Sequence, residues 1–157
     1  MTKNKYHLDH YKKEIQSHKD MGRKIAFTNG CFDILHVGHI RYLSQAKDCG
    51  DILVIGINSD NSIKELKGPS RPINILQDRA LILSAFKFVD YVISFEEQTP
   101  IKLIKIIMPD VLVKGGDYSI ENIVGAKEVS NAGGRVELLK FHRGYSSSNY
   151  IDKIKKP

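Results

Sequence analysis

The apolar residues of this chain come in short runs separated by stretches with helical spacing, and that alternation limits what it can fold into. The longest strongly apolar run is Ile52-Leu53-Val54-Ile55-Gly56-Ile57. Six residues suit a buried strand and fall far short of a bilayer span. Residues 24–28, 91–94, 111–113 and 135–138 read as further strands. Helices are predicted over 8–21, 37–48, 60–66, 75–86, 100–108, 121–131 and 147–156. Ser59 and Asp60 stand where a helix cap is needed, and Pro100 stands in a first turn. The segment Lys67-Gly68-Pro69-Ser70-Arg71-Pro72 reads as a loop. Five strands separated by helices imply right-handed crossovers and a parallel sheet with helices on both faces. Such sheets bind ligands at the carboxyl ends of their strands, where the strand order reverses.

Composition narrows the class. The chain has 157 residues, 41% of them hydrophobic and 27% charged, which suits one globular domain. Two cysteines, Cys31 and Cys49, give a disulfide framework little to build on, and a cytoplasmic home is expected. The polar N-terminus lacks the apolar core of a secretory signal, and no membrane association is expected. Residues 1–24 and 135–157 each carry a net +4 while the middle carries −2, so the overall +6 sits at the ends. Solvated basic ends explain this without a nucleic-acid partner, because aromatics do not interleave with the basic residues.

The richest stretch follows the first strand: Thr28-Asn29-Gly30-Cys31-Phe32-Asp33-Ile34-Leu35-His36-Val37-Gly38-His39. Neither G-x-G-x-x-G nor G-x-x-x-x-G-K-[ST] occurs, so the common dinucleotide and P-loop signatures are missing. Instead His36-x-Gly38-His39 opens a helix. The spacing places both imidazoles on one side of the first turn, where free N–H groups and the helix dipole favour an anion. Gly38 removes the side chain between them. A zinc site would need a third protein ligand that the spacing does not offer. Two structural histidines are the other alternative.

Asn29-Gly30-Cys31-Phe32-Asp33-x-x-His36-x-Gly38-His39 resembles the signature of the HxGH nucleotidyltransferases, in particular the cytidylyltransferase-like group. Within that group the chain is most similar to the adenylyltransferases that act on heptose 1-phosphate in lipopolysaccharide core synthesis. The resemblance runs from about residue 23 to 155 and includes Asn58-Ser59-Asp60, Leu66-Lys67-Gly68-Pro69-x-Arg71-Pro72, Val113-Lys114-Gly115-Gly116-Asp117-Tyr118 and Ser146-Ser147-Ser148-Asn149. It implies a Rossmann-like five-stranded fold for residues 23–157, with residues 1–22 as a helical extension. It implies transfer of AMP from ATP to a sugar 1-phosphate, with Mg²⁺, in a homodimer. The kinase domain often fused before such transferases has no counterpart in residues 1–22, so a separate sugar kinase is expected to supply the acceptor.

The resemblance also assigns residues. His36 and His39 would donate to the α-phosphate and the leaving group. Lys67 would clamp phosphates from a loop, and Arg79 matches an arginine that contacts phosphates. Arg71 would meet the sugar phosphate. Asp33 would orient the first turn or help hold Mg²⁺. Thr28, Asn29, Gly30, Cys31, Phe32 and Gly38 would surround the nucleotide. Lys114, Gly115 and Asp117 would approach its base or ribose. Ser146, Ser147 and Ser148 would cap the last helix or bind the outer phosphates. Cys31 has no visible activator and suits packing. The serine block departs from the family's usual Ser-Thr-Thr but keeps the hydroxyls. Glycerol 3-phosphate cytidylyltransferases carry an arginine where this chain has Phe141, with Arg143 the nearest; this counts against cytidylyl transfer. The alternatives are a glycerol 3-phosphate cytidylyltransferase or another sugar- or polyol-phosphate nucleotidyltransferase of the same fold, and a nucleotide-binding protein without turnover.

Overall fold

β2 (Ile52–Asn58) is buried along its whole length, as a six-residue apolar run flanked by polar turns requires. The computed structural model describes residues 5–116, 118–140 and 145–155. β2 pairs with β1 (Ile25–Gly30) on one side and β3 (Tyr91–Phe95) on the other. β4 (Val111–Gly115) and β5 (Arg135–Leu139) complete a five-stranded sheet of order β3-β2-β1-β4-β5, with every pairing parallel. The order reverses at β1, so the carboxyl ends of β1 and β4 lie side by side there.

The alternation of side chains along the strands builds two cores. Leu53, Ile55 and Ile57 face one layer with Leu43 and Ala46 of α2 (Val37–Asp48) and Leu83 of α4 (Leu76–Ser84). Phe27, Ile52 and Val54 face the other, with Leu103, Ile104 and Ile107 of α5 (Ile101–Ile107) and Val129 of α6 (Ala126–Asn131). α1 (Leu8–Asp20) joins this second layer through buried Ile15. Its Lys19 Nζ donates to the Ile107 carbonyl at 2.6 Å, satisfying the end of α5. The closing helix α7 runs Ser147–Lys155.

Two elements differ from expectation. The helix expected over 121–131 is a 3₁₀ turn (Ile120–Asn122) followed by the shorter α6. Gly125 breaks it, taking φ +87°; a Cβ there would stand 2.7 Å from Ile104 Cδ1, so the glycine admits α5 closely. The helix expected over 60–66 extends through Lys67 as α3 (Asp60–Lys67), capped by the Ser59 hydroxyl. Lys67 therefore ends a helix instead of riding the loop.

Gly56 lies beneath Phe27 in the sheet centre, where a Cβ would come within 2.8 Å of Phe27 Cζ. Gly56→Ala is expected to lower stability by about 1–3 kcal/mol through overpacking. Urea denaturation should show a lower midpoint at unchanged slope.

Candidate active site

The chain leaves β1 through a tight turn that aims α2. Phe32 takes φ +47°, the left-handed region that a bulky residue rarely adopts. Its ring folds back over Gly30, where a Cβ would be 3.0 Å from it. The same ring meets His39 edge-on at 5.3 Å between centroids. His36 occupies the N-cap of α2 in extended conformation, and no side chain caps the helix. No acidic residue stands in its first turn, so the positive end of the dipole is left for a ligand.

His36 and His39 stack face to face with centroids 3.8 Å apart. Both Nδ1 atoms are buried without a hydrogen-bond partner. Gly38 makes the stack possible, since a Cβ there would stand 3.0 Å from His36 Nδ1 and 2.9 Å from Tyr145 Cβ. Its small size thus serves ring packing as well as ligand approach. Burial pulls the His36 pKa below its ordinary value. Burial, the His36 ring and Lys67 together pull His39 down to about 4. Both shifts favour the neutral imidazole in the free protein.

α7 closes over this pair. Ser147 Oγ donates to the Ile34 carbonyl at 2.8 Å. Ser146 Oγ accepts from the Asn149 N–H at 3.0 Å, so this hydroxyl caps the helix. Ser148 is exposed. The rings of Tyr145 and Tyr150 lie nearly parallel to His36, at 6.1 and 5.6 Å. Sequence reasoning missed both tyrosines; their flanking of the serine block was the one available signal. It also missed Tyr42, which donates to the Val113 carbonyl at 3.2 Å while Thr28 donates to it at 2.7 Å. Thr28 is fully buried and ties α2 to the sheet.

Two arginines hold the turn, and neither stands where the sequence suggested. Asp33, 2% exposed, accepts from Arg71 Nε at 2.6 Å and from the N–H groups of Ile73 and Asn74. Burial alone would raise the Asp33 pKa, but the Asn74 and Ile73 N–H groups and the Arg71 guanidinium outweigh it and hold it below its usual value. Arg71 thus binds Asp33 through Nε, where the sequence suggested a sugar phosphate, and among the described residues its buried Nη2 has no partner. Arg79 is fully buried. It donates to the Asn74 and Cys31 carbonyls at 2.9 and 2.6 Å and to Asp60 Oδ1 at 2.8 Å. These bonds direct Arg79 into the protein, so its role here is to position the turn. Burial pushes the Cys31 thiol up despite Lys67, Arg79 and Arg71 nearby. Cys31 and Cys49 are both free thiols.

A cavity of about 450 Å³ opens at the carboxyl ends of β1 and β4. It brings together His36, Gly38, His39, Lys67, Lys114, Gly115 and Ser147, with Asn29, Gly30, Cys31, Phe32 and Asp33 on its wall. Lys114 Nζ donates to Asn29 Oδ1. Burial lowers the Lys114 pKa to about 8. Asp117, Phe141 and Arg143 lie outside the described residues. Among the described lining residues Asp33 is the sole carboxylate, and its oxygens are committed to Arg71, Ile73 and Asn74. That donor set does not suit a protein-held Mg²⁺, which asks for one or two free carboxylates.

Residues 27–153 match the family model described as cytidylyltransferase-like. The chain belongs to the cytidylyltransferase-like family. It is 54% identical over 140 residues to the bifunctional protein HldE of Geobacter metallireducens, which covers 89% of this chain and 29% of that protein. The chain thus spans under a third of that relative's length. The crystal structure of the lipopolysaccharide core biosynthesis protein from Thermoplasma volcanium superposes with TM-score 0.63 at 30% identity, over 80% of this chain and 100% of that one. The pantoate-beta-alanine ligase of Francisella tularensis, solved with beta-gamma ATP and beta-alanine, shares the fold with TM-score 0.59 at 19% identity, over 89% of this chain and 70% of that one. Among the described residues no helix is long and apolar enough to cross a membrane.

Arg79→Met removes a guanidinium whose side chain is fully buried from an aspartate that is 32% exposed. The expected loss is roughly 3 kcal/mol, the lower end for breaking a buried pair, because water can reach Asp60. Urea denaturation of the free protein checks it. Nitrogen NMR of the free protein should show His39 titrating near 4 and His36 below its ordinary value; normal titration of both would contradict the burial described.

Proposed function

We propose that this chain is an adenylyltransferase that moves AMP from ATP to a heptose 1-phosphate and releases pyrophosphate. The observation that carries the reading is the stacked His36–His39 pair at the uncapped N-terminus of α2, in one cavity with Lys67. Kinship with the cytidylyltransferase-like family and with the protein HldE supports it, as does the likeness to a lipopolysaccharide core biosynthesis protein.

The chemistry asks little covalent help from the protein. An oxygen of the sugar phosphate attacks the α-phosphorus, and the bond from that phosphorus to the bridging oxygen breaks. The attacking group has a second pKa near ~6 and is already largely ionised at neutral pH. No general base is needed. The barrier is the meeting of two anions, which oriented donors and positive charge relieve. In this reading His36, His39 and the α2 N–H groups meet the α-phosphate, and Lys67 meets the outer phosphates. The imidazoles begin neutral, so the arriving triphosphate raises their pKa values and each becomes a stronger donor as charge builds. Tyr145, just before α7, and Tyr150 within it pack against His36, and Ser147 ties α7 to the Ile34 carbonyl.

Magnesium enters as part of the substrate MgATP, and no step runs through a protein-held ion. We place the enzyme in the cytoplasm, where ATP is available and Cys31 and Cys49 stay reduced. A sugar kinase makes its acceptor. The homodimer rests on the family resemblance alone.

Pyrophosphate release should be measured with ATP, CTP and GTP against heptose 1-phosphate and glycerol 3-phosphate. Turnover is expected with ATP and heptose 1-phosphate; turnover with CTP alone would overturn the reading. His36→Asn or His39→Asn should each lower kcat about 10²–10³-fold, as removal of one transition-state donor does.

A further inference from the structure

The cavity holds two separate sources of positive charge. One is the group around the imidazoles: His39 feels both His36 and Lys67, and Cys31 feels Lys67, Arg71 and Arg79. Lys114 is the other, and Lys140 also lines the cavity. Lys114 stands on β4 at the reversal of strand order, across from Asn29 on β1, and lines the same cavity. Its one hydrogen bond is to the Asn29 amide oxygen, and among the described residues no carboxylate pairs with it. Burial is the cause of its lowered pKa. A part-buried lysine that no carboxylate among the described residues neutralises weakens the fold. Such a group makes sense when an anion arrives to complete it.

The neighbouring wall is chemically different from the imidazole side. Gln98, Thr99 and Asn122 line the cavity with neutral amides and a hydroxyl. The side chains of Thr99 and Asn122 make no hydrogen bond among the described residues, while the Asn122 backbone N–H donates to the Ser119 carbonyl at 3.0 Å. Gln98 donates to Glu65 at 3.3 Å and keeps its amide oxygen free. Neutral donors and acceptors of this kind match the hydroxyls of a polyol, each of which donates and accepts.

We propose that Lys114, with Asn29 beside it, takes the phosphate of the acceptor, and that Gln98, Thr99 and Asn122 read the hydroxyls of the sugar attached to it. This deepens the adenylyltransferase reading and rests on it: a transfer between two anions needs a second cation apart from the one that holds the triphosphate. Lys114 is then a substrate-binding and specificity residue, in place of the base or ribose contact that the resemblance implies, and the nucleotide lies toward α2.

The test is calorimetric titration, which needs no turnover. The protein is first saturated with α,β-methylene ATP, and heptose 1-phosphate or inorganic phosphate is then added. Lys114→Met should weaken binding of both phosphates about 10- to 100-fold, the loss of one charge-assisted hydrogen bond. Affinity for the ATP analogue should stay within about twofold, which also shows that the variant is folded. Lys114→Arg should recover most of the loss. Thr99→Val and Asn122→Ala should weaken heptose 1-phosphate several-fold and leave inorganic phosphate unchanged. Loss of analogue affinity in a folded Lys114→Met protein, or unchanged phosphate binding, would overturn the assignment. If heptose 1-phosphate binds the unaltered protein no better than inorganic phosphate, the heptose reading fails, and the effect of Lys114→Met on phosphate still decides the role of the lysine.

Discussion

The turn between β1 and α2 depends on two arginines, Arg79 fully buried and Arg71 largely so. Arg71 binds the Asp33 carboxylate, and Arg79 binds the Cys31 carbonyl and Asp60. Between them they fix both flanks of Phe32, whose left-handed backbone is strained and needs such support. With the turn fixed, α2 starts at His36, its N–H groups face the cavity, and the two imidazoles stack. The arginines are the most strongly basic groups near the site, and they are used for shape. Charge toward a ligand is left to weaker bases: two histidines and three lysines, Lys67, Lys114 and Lys140.

That division has a chemical logic. A permanently charged guanidinium binds ground state and transition state alike, and uniform binding does not speed the chemical step. A neutral imidazole in a half-dry pocket responds to the charge that a reaction develops. The lowered pKa in the free protein comes from burial and, for His39, also from His36 and Lys67, and a polyanion in contact opposes that shift. Among the described residues the two Nδ1 atoms have no hydrogen-bond partner, whereas buried polar atoms are ordinarily satisfied.

Much of the fold was legible because strands and helices alternate cleanly. β2 could hardly be anything but an interior strand once its run of branched residues was seen. The helix placed over 121–131 was misjudged because helical spacing does not register the left-handed turn at Gly125, which exists to admit Ile104. At the site, the imidazole pair stood out by its spacing. Arg79 and Arg71 did not reveal their orientation, because a long flexible side chain reaches either a ligand or a neighbouring carboxylate, and only the fold decides which. Tyr42, Tyr145 and Tyr150 were invisible for a related reason. Tyr145 and Tyr150 meet His36 across more than a hundred residues of chain, a distance no local pattern spans.

The central claim is that the imidazoles of His36 and His39 receive the innermost phosphate of a nucleoside triphosphate. A crystal structure of the protein with α,β-methylene ATP tests it most directly. The account predicts an imidazole nitrogen of each ring within hydrogen-bond distance of an oxygen on the α-phosphate, with Lys114 left free of the triphosphate. A triphosphate seated on Lys114, or one that leaves both rings without contact, would contradict it.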